Sequence, residues 1–404
     1  MSRATPAPGS TAVRESPLGD AASPSALEAL LNDLASLSAM RAAADDLRSA
    51  VANLAARQFA PALAKAQQAL AKAPELSAAW HVAAIAHEKL ENWREALDSY
   101  AEALARDPEN VSIGNDLGRL AYALRLFPEA ERLFRIHQGQ APGSVESAVN
   151  LGNLLREQAR FQEAIDVLKP AAQAHPDDPG VWNALGALMT DMGEVEQANA
   201  FFSEALRLNP DLETALYNRS AALSLMGDID GAIADCRTAL NRARTPEHRV
   251  AMQFALALLL LGDGQLAEGW AAYESRLDPE YAEPIHFLID RPRWRPDSDL
   301  QGKRLLLVGE QGLGDEILFA NMLDDIQNAI GPDGRLILAV EPRLVGLFRR
   351  SFPDVVTGAH GTIRRGARVM RAVPFVGDAA GVDLWAPMAS PLRRFRRQIT
   401  DFPE

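Results

Sequence analysis

The sequence predicts an α-solenoid of paired helices followed by a smaller α/β segment. Prolines recur every 34 residues, alanines keep the same step, and after about residue 300 buried strands alternate with helices. The chain of 404 residues, with 48% hydrophobic and 24% charged residues, is too long for one compact core. We therefore expect at least two folded units.

The N-terminal residues and the composition exclude several classes of protein. Residues 1–25 are rich in Pro, Ser, Gly and Ala and contain no apolar stretch, so we expect a disordered leader and no secretory signal. The sequence contains no run of eighteen apolar residues, which predicts no transmembrane helix. The single cysteine, Cys236, cannot form an intramolecular disulfide, which is consistent with a reducing compartment. We expect a cytoplasmic protein.

Charge and histidine placement predict neither a nucleic-acid partner nor a metal site. The formal net charge is −13, and residues 298–404 contribute +1 to it (14 basic against 13 acidic residues), so the acidic repeats would repel a phosphate backbone. The seven histidines fall at unrelated repeat positions. Asp228 and Asp230 form an Asp-x-Asp pair, but we expect them to be solvated in a repeat turn.

Residues 26–277 are predicted to form the solenoid. Small residues let the two helices of a repeat approach closely, larger apolar residues fill the gap between repeats, and proline ends the second helix. This pattern and its period are those of the tetratricopeptide family. We expect six repeats between about residues 43 and 244, and a seventh with a one-residue slip, because Ala267 follows Ala232 by 35 residues. The residues in register include Pro74, Pro108, Pro142, Pro176 and Pro210, Ala62, Ala96, Ala130, Ala164, Ala198 and Ala232, and Gly118, Gly152 and Gly186.

The first helix of each tetratricopeptide pair lines the concave surface, and its inward positions in this chain carry polar side chains. Amides, phenols and guanidinium groups suit an extended peptide, because they hydrogen-bond main-chain groups whatever the peptide sequence. The alternative is that these side chains are solvated or bond to the neighbouring helix. The candidate peptide-binding residues are His81, Asn115, Arg119, Asn150, Asn153, Arg156, Asn183, Tyr217 and Asn218.

Residues 278–302 are predicted to be a proline-rich linker, and residues 303–404 an α/β segment. The first buried strand spans Lys303 to Val308, a helical pattern follows up to Gly331, and a second strand spans Arg335 to Val340. This βαβ unit predicts a parallel sheet whose ligand crevice lies at the carboxyl ends of the strands.

A glycine-rich loop after the first strand is the best candidate for chemistry. Glycines permit a tight turn and let a ligand approach the backbone, and free amides at a helix start attract an anion. The loop matches neither the dinucleotide-binding pattern nor a P-loop. Such a turn is more often structural than catalytic, and its aspartate could simply cap the helix. The loop residues are Gly309, Glu310, Gln311, Gly312, Leu313, Gly314 and Asp315.

The C-terminal part contains GWAAYESR, then LLLVGEQGLGDEILFANML, and later VDLWAPMASPLRRFRR. This succession resembles bacterial tetratricopeptide proteins whose C-terminal half is a two-domain, GT-B type glycosyltransferase, among them the flagellin protein glycosyltransferases. It is also similar to lipopolysaccharide heptosyltransferases in the Gly-Asp after the first strand. The resemblance implies that residues 303–404 are the Rossmann-like acceptor half of a GT-B fold. It also implies that Asp315 is the general base that takes the proton from the acceptor hydroxyl.

In enzymes of this type the nucleotide-sugar donor binds mainly in a second Rossmann-like domain, which should begin near Glu404. We therefore expect residues 1–404 to bind no cofactor. We expect the full-length enzyme to use a nucleotide-sugar donor. Two functions stay open. The chain is either the acceptor-recognition part of a protein O-glycosyltransferase that holds a protein such as flagellin, or a non-enzymatic adaptor or co-chaperone.

Overall fold

The computed structural model describes residues 24–281, 284–365, 368–377 and 381–403. The chain divides into two compact units, with the boundary after Leu154. The predicted leader, residues 1–25, lies outside the described residues except for its last two positions, which begin a helix. None of the helices in the described ranges is both long and apolar enough to cross a bilayer.

The first unit consists of helices joined by short turns, and its first six helices pack one against the next. After a first helix of 32 residues, the helices alternate between 14 and 13 residues. The helices are α1 Pro24–Ala55, α2 Phe59–Lys72, α3 Ser77–Lys89, α4 Trp93–Arg106, α5 Val111–Ala123, α6 Phe127–Gln140 and α7 Val145–Glu157, the last of which crosses the unit boundary.

The 34-residue register is explained by packing. A methyl group at Gly118 would lie 2.6 Å from the ring of Phe134, so glycine lets α5 and α6 approach closely. Pro108 follows the last residue of α4 by two positions and stops that helix from continuing. The alanines at the predicted step, Ala62, Ala96, Ala130, Ala164, Ala198 and Ala232, are all 0% exposed.

The turn inside each helix pair contains one residue in the left-handed conformation. Side chains other than glycine adopt this conformation at a cost, yet the first four turns use arginine, glutamate or alanine. The first six of these residues are 34 positions apart, whereas Gly264 follows Gly227 by 37. The residues are Arg57, Glu91, Arg125, Ala159, Gly193, Gly227 and Gly264.

The second unit continues the repeats. Its helices are α8 Phe161–Ala174, α9 Pro179–Asp191, α10 Val195–Leu208, α11 Glu213–Leu225, α12 Ile229–Arg242, α13 Pro246–Gly262 and α14 Leu266–Tyr273, followed by a 3-10 turn over Glu274–Leu277.

The predicted one-residue slip of the seventh repeat is wrong. The turn in this repeat is displaced by three residues, because α13 begins one residue earlier than the 34-residue step and has 17 residues where the preceding first helices have 13. Gly269, not Ala267, therefore occupies the buried small position, and Ala267 is exposed. A methyl group at Gly269 would lie 2.8 Å from the side chain of Leu261.

The α/β part of the second unit contains two sheets. The four-stranded sheet has the order β4-β3-β2-β7 with all neighbours parallel, and the three-stranded sheet has the order β1-β6-β5. Both predicted strands form and pair in parallel, as the βαβ pattern indicated. The strands are β1 Ile285–Phe287, β2 Arg304–Val308, β3 Arg335–Val340, β4 Val356–Ala359, β5 Gly361–Arg365, β6 Arg368–Ala372 and β7 Leu384–Pro387.

The helix predicted between β2 and β3 is broken into two. A 3-10 turn over Ala320–Met322 separates the halves, where Asn321 bonds to the carbonyl of Leu318 and accepts from the buried guanidinium of Arg396 at 2.5 Å. Such side-chain bonds to the backbone compete with helical ones. The helices are α15 Leu313–Phe319, α16 Leu323–Ile330, α17 Val345–Ser351 and α18 Leu392–Phe395.

Residues 278–302, predicted to be a linker, are part of the fold. They contribute β1, and Trp294 is 1% exposed in a core that also contains Tyr273 of α14 and Leu305 of β2. The strand β1 has only three residues, Ile285, His286 and Phe287, which are too few for a recognisable strand pattern. The last repeat and the four-stranded sheet consequently share one hydrophobic core.

Candidate functional site

The predicted amide row of the first unit is bonded between helices. Asn115 is buried, and its Nδ2 donates to Glu146 Oε1 at 2.6 Å. Its Oδ1 accepts from Asn150 Nδ2 at 2.7 Å, which connects α5 and α7. Asn115 therefore follows the alternative in which the amide bonds to the neighbouring helix, and its side chain is not available to a peptide.

The other predicted residues of the first unit are more accessible. His81 Nε2 lies 2.9 Å from Asp116 Oδ2, and the same carboxylate lies 3.3 Å from Arg119 Nη1. The His81 ring packs against Tyr100 with a centroid distance of 5.8 Å. Asn153 is half-buried on α7. This surface presents a histidine, a carboxylate and a guanidinium side by side.

The second unit repeats the amide pair. Asn218 Nδ2 of α11 donates to Asn183 Oδ1 of α9 at 3.0 Å, and these residues are 35 positions apart, as are Asn115 and Asn150. Arg156 Nε lies 3.3 Å from Asp191 Oδ2. Paired asparagines therefore connect successive first helices within each unit, which reduces the number of amides free to bind a peptide.

Tyr217 lines an apolar pocket between α11 and α13. The pocket has a volume of about 460 Å³. Leu225 and Leu258 in its wall are 65% and 51% exposed, so the pocket presents apolar side chains to solvent. Burial raises the pKa of Tyr217, so the phenol stays neutral at physiological pH. The pocket can accept an apolar side chain beside a phenol that donates a hydrogen bond.

The glycine-rich loop lies at the carboxyl end of β2 and is held from several sides. Glu310 accepts two bonds from Arg276, at 2.8 and 2.9 Å, and one from the amide of Ala389 at 2.8 Å. Gln311 Oε1 accepts from the Tyr273 hydroxyl at 2.8 Å. The loop therefore depends on residues from the last repeat and on the segment after β7.

Asp315 lies in the first turn of α15, where its Oδ2 accepts from the amide of Gly312 at 3.0 Å. This is the bond of a helix-capping carboxylate. The side chain is half-buried, which leaves its second oxygen as the atom that could accept a proton from a ligand. The geometry accommodates both the capping role and the catalytic role considered for this residue.

A buried cluster next to the loop was not predicted. Glu316 Oε1 lies 3.3 Å from His360 Nε2, and Arg371 Nη1 lies 3.3 Å from His360 Nδ1. Because a guanidinium only donates, His360 accepts at Nδ1 and carries its proton on Nε2. A side chain at Gly309 would overlap the Glu316 carboxylate, so this glycine makes room for the cluster.

Burial and neighbouring charges shift the pKa values of two residues beside the glycine-rich loop, Glu274 and Tyr273. Burial alone would raise the pKa of Glu274, but Arg276, Arg393, a bond from Ser390 and Arg293 bring that pKa below its ordinary value. Burial raises the pKa of Tyr273 to about 12, so its hydroxyl keeps the proton that it donates to Gln311.

Sequence reasoning missed Arg276, Glu316, His360 and Arg371. The first ends the quoted GWAAYESR stretch and the second directly follows Asp315, so each lay within a motif already singled out. His360 directly follows β4, at the same carboxyl edge as Glu310 and Glu341. Arg371 lies in the second sheet, and no sequence spacing connects it to the others.

Helix pairs that repeat every 34 residues are typical of tetratricopeptide-repeat proteins. Family models described as tetratricopeptide repeat match residues 81–145 and 155–224. The chain therefore contains tetratricopeptide repeats, which serve as scaffolds for protein interactions.

Two curated proteins and a solved structure are similar to this chain. Protein FlbA of Caulobacter vibrioides is 42% identical over 348 residues, which cover 86% of this chain and 58% of FlbA. The peroxisomal targeting signal receptor of Candida albicans is 32% identical over 84 residues, 21% of this chain and 14% of the receptor. A tetratricopeptide repeat protein from Parabacteroides merdae has a TM-score of 0.49 at 14% identity and covers 58% of this chain and 91% of its own. The chain thus spans less than two thirds of either curated relative.

Proposed function

We propose that this chain is the acceptor-binding part of a protein O-glycosyltransferase, with flagellin as the candidate acceptor and the α/β segment as the Rossmann-like acceptor half of a GT-B fold. The strand order of the parallel sheet carries the proposal. Numbered along the chain, its strands lie in the order third, second, first, fourth. Doubly wound sheets with this order bind ligands at the carboxyl edge, where the order reverses.

The reversal lies between β2 and β7, and the glycine-rich loop begins at that edge. The match with FlbA covers 86% of the chain, so it includes parts of both the repeats and the α/β segment. One polypeptide then combines repeats that bind a protein with a parallel sheet whose carboxyl edge can bind a ligand. This combination suits an enzyme that modifies a bound protein.

In the proposed reaction, the hydroxyl oxygen of an acceptor serine or threonine bonds to the anomeric carbon of a sugar. The bond from that carbon to the diphosphate of the donor breaks, and the hydroxyl proton passes to Asp315. A carboxylate within hydrogen-bond reach contributes typically 10²- to 10⁴-fold to such a step. The accessible oxygen of Asp315 is the candidate proton acceptor.

One observation favours a non-enzymatic adaptor instead. At the point where the strand order reverses, the edge is occupied by the buried pair of Glu310 and Arg276, whose side chains are 2% and 4% exposed. A site filled by a protein ion pair has less room for a ligand. In an adaptor the α/β segment would only complete the end of the solenoid, and Asp315 would only cap α15.

Substitutions of Asp315 separate these functions. In cells that carry the gene, glycosylation of the acceptor is measured from its shift in electrophoretic mobility. We expect Asp315→Asn, which keeps a capping oxygen but cannot take up the proton, to lower glycosylation by about 10² or more. The matched control is Asp324→Asn on the exposed side of α16. Near-normal glycosylation with Asp315→Asn, together with loss in Asp315→Ala, would show that the residue is only a cap. No acceptor shift in the wild type would favour the adaptor.

A further inference from the structure

A second pocket opens beside the segment that leads into β2. Its volume is about 690 Å³, and three arginines line it, Arg293 and Arg295 from that segment and Arg393 from α18. The acidic residues in its lining are Glu274 and Asp297. We refer to this feature as the arginine pocket.

The charges in the arginine pocket do not balance. Glu274 Oε2 lies 2.8 Å from Arg293 and 3.2 Å from Arg393, and its other oxygen lies 3.0 Å from Arg276. One carboxylate therefore faces three guanidinium groups, of which Arg276 is also paired with Glu310. Among the residues that the structure describes, Arg295 makes no ion pair. Its charge remains available to a ligand.

Two residues of the lining, Arg393 and Trp294, carry donor groups in unfavourable surroundings. Burial lowers the pKa of Arg393, and the positive charges of Arg293 and Arg276 lower it further against the attraction of Glu274. The indole Nε1 of Trp294 is buried and has no hydrogen-bond partner within the described part of the chain. A buried donor without a partner costs free energy unless an acceptor reaches it.

We propose that the arginine pocket binds a small phosphate-bearing ligand. Each guanidinium offers five N–H donors in a planar fork, which pairs two at a time with the oxygens of a phosphate. A carboxylate has two oxygens, and Glu274 already supplies both of its own to arginines. A phosphoryl group adds at least three further acceptor oxygens. The pocket is larger than a phosphate, so the group can be carried by a nucleoside or a sugar.

Calorimetric titration of the full chain with pyrophosphate tests this proposal, and parallel titrations with ADP and glucose 6-phosphate identify the carrier. We expect binding of pyrophosphate by the wild type. Arg295→Gln should weaken it about tenfold through the loss of charge-assisted bonds, with an unchanged melting temperature because Arg295 is exposed. Arg350→Gln is the matched control, since Arg350 is an exposed arginine of α17 without an ion pair among the described residues.

Binding of ADP or glucose 6-phosphate that is tighter than that of pyrophosphate, and equally dependent on Arg295, would support the proposal and assign the carrier. The proposal is overturned if none of the three compounds binds. It is also overturned if Arg350→Gln weakens binding as much as Arg295→Gln does, because diffuse surface charge would then account for the affinity. Acceptor glycosylation is not measured, so the outcome is separate from that of the proposed enzyme activity.

Discussion

The buried ion pair of Arg276 and Glu310 connects the last repeat to the edge of the parallel sheet. Arg276 comes from the 3-10 turn after α14, and Glu310 is the second residue after β2. Although burial alone would lower the pKa of Arg276, Glu310 and Glu274 raise it, so the guanidinium is charged at every physiological pH. Removing one partner of such a pair leaves an uncompensated buried charge.

Glu310→Gln is therefore expected to destabilise the second unit by about 3 kcal/mol, the lower end of the range for a broken buried pair, because Glu274 still contacts Arg276. The free energy of unfolding is measured by urea denaturation, with circular dichroism as the signal. Glu268→Gln is the control, since Glu268 forms an exposed ion pair with Arg237 and should change stability by less than about 1 kcal/mol. Equal effects of the two substitutions would contradict the structural role given to the buried pair.

The lowered pKa of Glu274 predicts a loss of stability in acid. A carboxylate whose pKa is lower in the folded than in the unfolded state contributes stability above its ordinary value of 4.5 and loses it as the pH falls below that value. Thermal melts between pH 7 and pH 3 should show a decrease that is smaller in Glu274→Gln than in the wild type. Parallel curves for the two proteins would show that Glu274 does not contribute.

Part of the site could be predicted at the residue scale. The aspartate of the Gly-Asp loop is explicit in the sequence, and its possible capping role follows from its place before a helical pattern. The contacts of His360 with Glu316 and with Arg371 could not be predicted, because they join residues from α15, from the end of β4 and from a different sheet.

At the scale of helices, the small residues that recur every 34 positions determine how closely the two helices of a repeat approach each other. Both Gly118 and Gly186 face a phenylalanine sixteen residues later, and a methyl group would lie 2.6 Å and 2.5 Å from those rings. Aromatic rings at Phe134 and Phe202 thus fill the volume that glycine leaves. The sequence period predicted the close approach at these glycines, because they recur at fixed spacing, but it did not predict which rings face them.

Gly118→Ala is expected to destabilise the first unit by about 1 to 3 kcal/mol, the typical cost of overpacking. Gly114→Ala in the same helix is the matched control, because nothing lies within 4 Å of the added methyl group. Alanine there should stabilise the helix by about 0.5 to 1 kcal/mol. Opposite signs in thermal melts are the expected outcome, and stabilisation by both substitutions would exclude the close approach at Gly118.

The long buried strands were predicted accurately, whereas a short strand and a displaced turn were missed. The strands β2 and β3 were placed within one residue, because uninterrupted apolar runs between polar residues are typical of buried parallel strands. The strand β1 was missed because it has three residues and pairs with β6 more than eighty positions away. The displaced turn of the seventh repeat was missed because Ala267 lies nearer to the 34-residue step than Gly269, which occupies the buried small position.

At the scale of the whole chain, the repeats and the α/β segment are not separable at residue 277. Phe254 of α13 and Trp270 of α14 pack against a core that includes Leu305 and Ile326 of the sheet region. A cut at this position would expose that core and destabilise the last repeat. Binding experiments on the role of the repeats should therefore use substitutions in the full chain.

The proposed binding of an acceptor protein by the repeats is tested most directly at the apolar pocket between α11 and α13. The affinity of the full chain for purified flagellin is measured by calorimetry for the wild type, Leu258→Asp and Leu288→Asp. These leucines are 51% and 54% exposed, but only Leu258 lines the pocket. We expect Leu258→Asp to weaken binding by about tenfold or more, since burying an unpaired charge costs several kcal/mol, and Leu288→Asp to leave it unchanged. Absence of binding by the wild type, or equal affinities of all three proteins, would contradict the account.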